Sequence, residues 1–451
     1  MKRNWLALFA SCLAAVAFAD PPAKVALTNA KIIPVVGEPL DKATILIEHG
    51  KITAIGAALE PPYDARVFDL SGKVLFPGQV VAHSARGMDT VNETRPVTPQ
   101  LDVADSLDPS QLYFEECLRL GQTVVHVMPG NNTVIGGVGR AVRPIGLSPA
   151  EMSLAEPQFM KLSVSPRPGF DRMKQLALLR EAFLSLPDYL DRLAEQRYEE
   201  DLKKAEKQIE VGPAEARKRG RDLIRVEDLD DEHRNLLRMR GGQIVVAGET
   251  GGTLLPPLGA VIWCGSAMDV AAAGRIAREY GFLDRTVLAL GGECFKAVDE
   301  LKRLARPVIL PEDLIHREAD PLTGEVRETF VAKPLFDAGL IVSLLPGPDT
   351  SLPERMLTYQ AARLIRHGVS RDEALRAITI NPAKALGLDS RLGSLEVGKD
   401  AHIVVFSGDP LDFNSFVEKV FIDGILAYER EKDVRLQKLL SPAASDAGGE
   451  E

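Results

Sequence analysis

Between about residues 77 and 392, short apolar runs rich in β-branched residues alternate with longer stretches of helical period. GQTVVHVMPG (121–130), GAVIWCG (259–265), TVLALGG (286–292), RPVILP (306–311) and GLIVSLLPG (339–347) read as buried strands. AMDVAAAGRIAREYG (267–281), CFKAVDELKRLA (294–305) and PERMLTYQAARLIRHG (353–368) read as helices between them. Strands that are apolar on both faces, each followed by a helix, call for a parallel sheet covered by helices. The chain has 451 residues, enough for one large α/β barrel of roughly 250 residues or more and a smaller unit. Ser370 and Glu373 are spaced as a capping box, and Pro382 stands at the first position of the next helix, which ends at Gly387.

The two ends of the chain read differently. VALTNAKIIPV (25–35), ATILIEHGKITAIG (43–56) and ARVFDLSGKVLF (65–76) are strand-like runs broken by glycine, and so are AHIVVFSGD (401–409) and VEKVFIDGILAYE (417–429). The expected architecture is α/β: a (β/α)8 TIM-type barrel over 77–392, and a small composite β-sandwich built from 20–76 and 393–430. The charged stretch YLDRLAEQRYEEDLKKAEKQIE (189–210) belongs to a helical insertion expected at about 172–240, exposed beside the barrel. Its acidic and basic residues are mixed. The polar tail 431–451 is expected to be disordered.

Residues 1–19 read as a signal peptide, with basic MKRNW, apolar LALFASCLAAVAF and the cleavage site Ala17-Phe18-Ala19. The apolar core is shorter than the about 20 residues that a spanning helix needs. Cys12 follows Phe9-Ala10-Ser11, a poor lipobox. The chain is therefore expected to be exported, periplasmic or extracellular, with no membrane attachment after cleavage. Its net charge is −10, and losing Lys2 and Arg3 makes it more acidic still. An acidic chain lacks the basic footprint of a nucleic-acid partner. Cys117, Cys264 and Cys294 are too scattered for a disulfide framework or a zinc motif and read as buried thiols.

Several segments resemble one family. GSLEVGKDAHIVVFSGDPL (393–411), VFIDGILAYE (420–429), DEALRAITINPAKALGL (372–388) and SGKVLFPGQVVAHSARG (71–87) are similar to scaffold motifs of the amidohydrolase superfamily. TRPVTPQLDVADSLDP (94–109) followed by GQTVVHVMPGNNTVIGG (121–137) resembles its imidazolonepropionase-like, prolidase-like branch. The resemblance runs from about residue 25 to 430 and implies a hydrolase of carbon–nitrogen bonds, in amides or cyclic amides, that uses one or two divalent ions. It also implies where ligands belong: His-x-His on the first barrel strand, lysine or glutamate on the fourth, one histidine each on the fifth and sixth, and an aspartate on the eighth that doubles as general base.

Carried over residue by residue, the pattern is depleted. His83 stands in the first place and Ala85 in the second. On the fourth strand SLAEPQFMKL (153–162) puts Ala155 at the lysine place and keeps Glu156. On the fifth, Trp263 and Gly265 fall where histidines belong; the alternative strand QIVVAGE has none either. Leu290 takes the sixth-strand place, and Pro348 the eighth, with Asp349 one residue on. Zinc needs three or four nitrogen, sulfur or oxygen ligands. Of seven histidines (49, 83, 126, 233, 316, 367 and 402), only His83 and His126 lie at strand positions that suit a barrel site. GNNTVIGGVGR lacks the spacing of a phosphate cradle and reads as a backbone turn.

Each candidate keeps two readings. His83 is a surviving metal ligand or a histidine hydrogen-bonded at the barrel mouth. Glu156 is a ligand or the partner of an arginine. Asp349 is a ligand and base, or a turn aspartate. Three functions follow. The first is a family member that has lost its metal and serves as a binding or assembly subunit, its partner a second copy or an active relative. The second is a hydrolase with an unconventional mononuclear site of His83, Glu156 and Asp349, holding zinc or another divalent metal. The third is a small-molecule binder at the barrel mouth, with Trp263 as an aromatic wall.

Overall fold

The computed structural model describes residues 24–90, 94–156, 158–206, 211–241, 256–347 and 355–440. Residues 1–23, which include the expected signal peptide, Asp349, QIVVAGE and the last eleven residues lie outside them. Five strands come first: β1 (Lys24–Ile32), β2 (Leu40–Glu48), β3 (Lys51–Gly56), β4 (Arg66–Asp69) and β5 (Val74–Pro77). The barrel strands follow: β6 (Gln79–Ser84), β7 (Gln122–Val127), β8 (Ile135–Val142), β9 (Phe159–Ser163), β10 (Gly259–Cys264), β11 (Thr286–Leu290) and β12 (Val308–Ile309). A separate hairpin, β13 (Ile315–Ala319) and β14 (Val326–Phe330), precedes the last barrel strand, β15 (Val342–Ser343). The chain then returns as β16 (Ile403–Phe406), β17 (Val417–Ile422) and β18 (Ile425–Glu429).

The strands of both ends form one hydrogen-bonded sheet in the order β18-β17-β16-β5-β1-β2-β3, with β4 beside β1. β5 leads directly into β6, so this sheet fixes the start of the barrel. Its core is its own, built by Leu27, Ile45, Ile47, Leu75, Ile403 and Phe421 among others.

The barrel sheet runs β6-β7-β8-β9-β10-β11-β12-β15. It is nearly closed. The gap between β15 and β6 is bridged by the backbone at Ala377 and Ile378, whose carbonyls accept from Leu344 N (3.0 Å) and Val80 N (3.1 Å). Two features differ from a uniform (β/α)8 plan. β8 runs antiparallel to both neighbours, so GNNTVIGGVGR is the start of a strand and not only a turn. His316, expected in a loop, lies on β13. Glycines made the first segment look loop-like, and the Pro-Leu-Thr-Gly turn hid the hairpin.

The insertion is helical, with Arg172–Lys204, Pro213–Arg221 and Asp231–Met239. It is not free of the barrel, as its charge had suggested. Leu179, Phe183 and Leu186 are buried, and Phe183 stacks on Tyr280 at 4.4 Å. Gln175 is buried and donates to the carbonyls of Thr133 and Ser163, tying the long helix to the barrel. Of the tail 431–451, expected to be disordered, residues 431–440 are described. Arg119 pairs with Asp433 at 2.6 Å, holding the Asp433 carboxyl down near 2, and Val434–Leu440 is a short exposed helix.

Within the insertion Gly220 faces the carbonyl of Ala194, and a Cβ there would sit 1.8 Å from that oxygen. A backbone carbonyl cannot rotate away. Gly220→Ala is therefore expected to destabilise the chain by ~1–3 kcal/mol, the usual cost of overpacking. Urea unfolding measures it, and an unchanged midpoint would contradict this packing.

Candidate functional site

Seven of the eight barrel strands are parallel, so their C-terminal ends gather at one mouth, where sites on this architecture sit. The mouth holds a cavity of ≈ 740 Å³. Its floor and walls come from the strand ends: His83 and Ser84 on β6, Asn131 after β7, Trp263 on β10, Leu290 on β11 and Leu345 after β15. The register sets Ser163, Trp263, Ala289 and Ile309 side by side across β9 to β12.

A bulge aims His83. Val81 pairs with Val125 and Ser84 with Val127, so two residues of β6 face one on β7. Ala82 keeps the inward direction and the extra residue lets His83 turn inward as well, a use of bulges common near functional sites. Ser84, also in the lining, accepts from Tyr113 Oη at 2.9 Å.

The partner that meets His83 is Lys161. β9 begins at Phe159, three residues after Glu156, and its inward side chains are Phe159, Lys161 and Ser163. Lys161 is fully buried. Its Nζ lies 2.8 Å from His83 Nε2 and donates to Asn131 Oδ1 at 2.7 Å. The His83 ring also bonds the Pro129 backbone carbonyl. Burial, then the Lys161 charge and His126, hold His83 well below the usual histidine range. His126 stands inside the barrel on β7, with Nδ1 3.1 Å from the Ala82 carbonyl, and burial pushes it down to about 4.

The sequence reading placed Ala155 at the fourth-strand lysine position. The strand starts later, so Lys161 is the lysine that faces the barrel. The missed signal was the alternation of FMKLS, where a lysine shares its face with a phenylalanine in an otherwise apolar run. Glu156 is exposed and precedes β9 at the N-terminal end of the barrel, within the field of Arg140 and Arg238. His83 sits at the opposite end, so these two do not meet. Trp263 does line the cavity with His83. Asp349 lies outside the described residues.

Of the places that the resemblance gives to metal ligands, the described residues bring His83 and the fourth-strand Lys161 together. Ala85, Trp263 and Leu290 occupy three expected ligand places, and all three line the cavity. Among the described residues no three His, Cys, Asp or Glu side chains gather to hold a metal. His83 Nε2 faces Lys161 Nζ at 2.8 Å. Arg86 and Arg355 stand at the rim, 3.5 and 3.4 Å from Glu116, and Arg86 lies 4.4 Å over the Tyr113 ring. Cys117, Cys264 and Cys294 are buried free thiols.

The comparisons with known proteins fit this frame. A profile described as the Amidohydrolase family matches residues 345–428. Amidohydrolase tasK of Hapsidospora irregularis is 26% identical over 425 residues, 85% of this chain and 40% of that protein. Imidazolonepropionase of Thermoplasma volcanium is 42% identical over 71 residues, 14% of this chain and 18% of that enzyme. The aligned part is thus less than half the length of either relative. A solved amidohydrolase from Thermotoga maritima superposes with a TM-score of 0.69 at 28% identity, covering 90% of this chain and all of that one. The chain belongs to the amidohydrolase superfamily.

Acid tests the buried histidines. With His126 at about 4 in the native state and ordinary histidine at 6.5, the unfolded chain binds a proton between those values that the native chain does not. Stability is therefore expected to fall as pH drops from 6.5 to 4 and to gain nothing from His126 below that. The contribution is on the order of 3 kcal/mol. Urea midpoints at pH 7 and 4.5 read it, and His126→Asn is expected to flatten the slope. A midpoint that rises on acidification would contradict the buried neutral state.

Proposed function

We propose that this chain is an exported, non-catalytic member of the superfamily that holds a small molecule in the barrel mouth. The observation that carries the reading is the His83–Lys161 contact. The imidazole that the family would give to a metal lies 2.8 Å from Lys161 Nζ, and Trp263 lines the same cavity. A concave, mainly apolar pocket with a few converging polar groups is the usual form of a ligand site. Fold alone does not decide activity. On this reading the mixed sheet of both chain ends is the family's composite sandwich. A second copy or an active relative is the partner proposed for any assembly role.

The competing reading is a working carbon–nitrogen hydrolase, favoured by the names of the relatives. It would need a metal held by His83 with Asp349, since Glu156 is at the other end of the barrel. A panel of amides and cyclic amides separates the two, assayed for turnover with and without added zinc and for binding in parallel by isothermal titration calorimetry. The expected outcome is saturable binding without turnover, weakened tenfold or more in Trp263→Ala. Zinc-dependent turnover that disappears in His83→Ala would establish the hydrolase instead.

A further inference from the structure

We infer that Ser84 is a fixed hydrogen-bond donor at the barrel mouth, and that among small apolar molecules the mouth selects those that carry an acceptor atom. The inference names the ligand class of the binding reading and rests on it.

A serine hydroxyl has two lone pairs and one proton. Both lone pairs of Ser84 Oγ are engaged by the protein. Tyr113 Oη donates to one at 2.9 Å, and the Arg86 backbone N–H donates to the other at 3.1 Å. A backbone N–H can only donate, so that bond has one sense. Tyr113 is buried on the helix Leu112–Arg119, and burial keeps its phenol protonated by pushing it well above the usual tyrosine range. What remains is the proton of Ser84. Among the described residues nothing accepts it, and Ser84 lines the cavity.

Two bonds received by one oxygen polarise its O–H, so the remaining proton is a stronger donor than that of an isolated serine. The same two bonds hold the oxygen in place before a ligand arrives, which lowers the cost of ordering the site. Asn131 repeats the pattern in the same lining. Its Oδ1 accepts from Lys161 Nζ at 2.7 Å, and the NH2 is the side of the amide left for a ligand. Lys161 in turn meets His83 Nε2, and His83 is the neighbour of Ser84 on β6. Ser84 and Asn131 therefore engage their acceptors within the protein and offer donors to the cavity. Beyond them the lining includes Trp263, Ala289, Leu290, Ile309 and Leu345, aromatic or aliphatic. An apolar body that ends in one acceptor suits this layout, whereas a body that ends in a donor meets only protons.

Benzonitrile and phenylacetylene have the same shape and opposite hydrogen-bonding sense: the first ends in an acceptor nitrogen, the second in a weakly donating C–H. Each is titrated against the chain by ligand-observed NMR. Benzonitrile is expected to bind about fivefold more tightly, the worth of one neutral hydrogen bond. Ser84→Ala is expected to weaken benzonitrile about fivefold and to leave phenylacetylene unchanged. Tyr113→Phe, which frees a lone pair on Ser84 Oγ, should keep benzonitrile within twofold of wild type and narrow the preference by tightening phenylacetylene. Equal binding of the two probes to wild type, a Ser84→Ala variant that weakens both alike or neither, or a Tyr113→Phe variant that loses benzonitrile as Ser84→Ala does, overturns the inference while the binding reading stands. Failure of both probes to bind would overturn the inference and count against that reading too.

Discussion

The contact between Lys161 Nζ and His83 Nε2, at 2.8 Å, organises the floor of the barrel mouth. It joins the first-strand histidine to the inward lysine of β9, two places that the family resemblance gives to metal ligands. A buried polar group is costly unless it is hydrogen-bonded. Here Lys161 Nζ meets His83 Nε2 and Asn131 Oδ1. Removing either partner would change the electrostatics of the whole floor, because His83 and His126 both sit in the field of Lys161.

That contact depends in turn on backbone features some distance away. β5 is held in the sheet of the two chain ends and runs straight into β6, where the bulge opposite Val125 and Val127 turns His83 inward. On the other side, Gln175 fixes the long helix against Ser163, the residue that ends β9. Lys161 therefore approaches from a strand clamped at its end, and His83 from a strand anchored at its start. The seam bridged by Ala377 and Ile378 closes the barrel around them.

Much of this plan was legible in the sequence. Apolar runs such as TVLALGG and GLIVSLLPG marked barrel strands, and the motifs at 393–411 and 420–429 pointed to the superfamily. The absence of histidines at 263 and 290 was also readable, because it needs only residue identities. What escaped notice required three dimensions. Lys161 looks like a surface residue until period-2 alternation is combined with burial on both faces of β9. The inward turn of His83 depends on a one-residue bulge that no local composition encodes. The antiparallel β8 escaped because its glycines, Gly136, Gly137 and Gly139, imitate a loop; a Cβ at Gly137 would meet the Leu101 carbonyl at 2.4 Å, so close backbone packing demands them.

We propose that His83, engaged by Lys161 and by the Pro129 carbonyl, holds no metal. Metal content of the purified chain tests it most directly, by elemental mass spectrometry after gel filtration, before and after incubation with zinc. The expected result is no stoichiometric zinc, manganese or iron in either sample, and the same in His83→Ala. Near-stoichiometric metal in the wild-type chain that disappears in His83→Ala would contradict it, since His83 would then hold a metal.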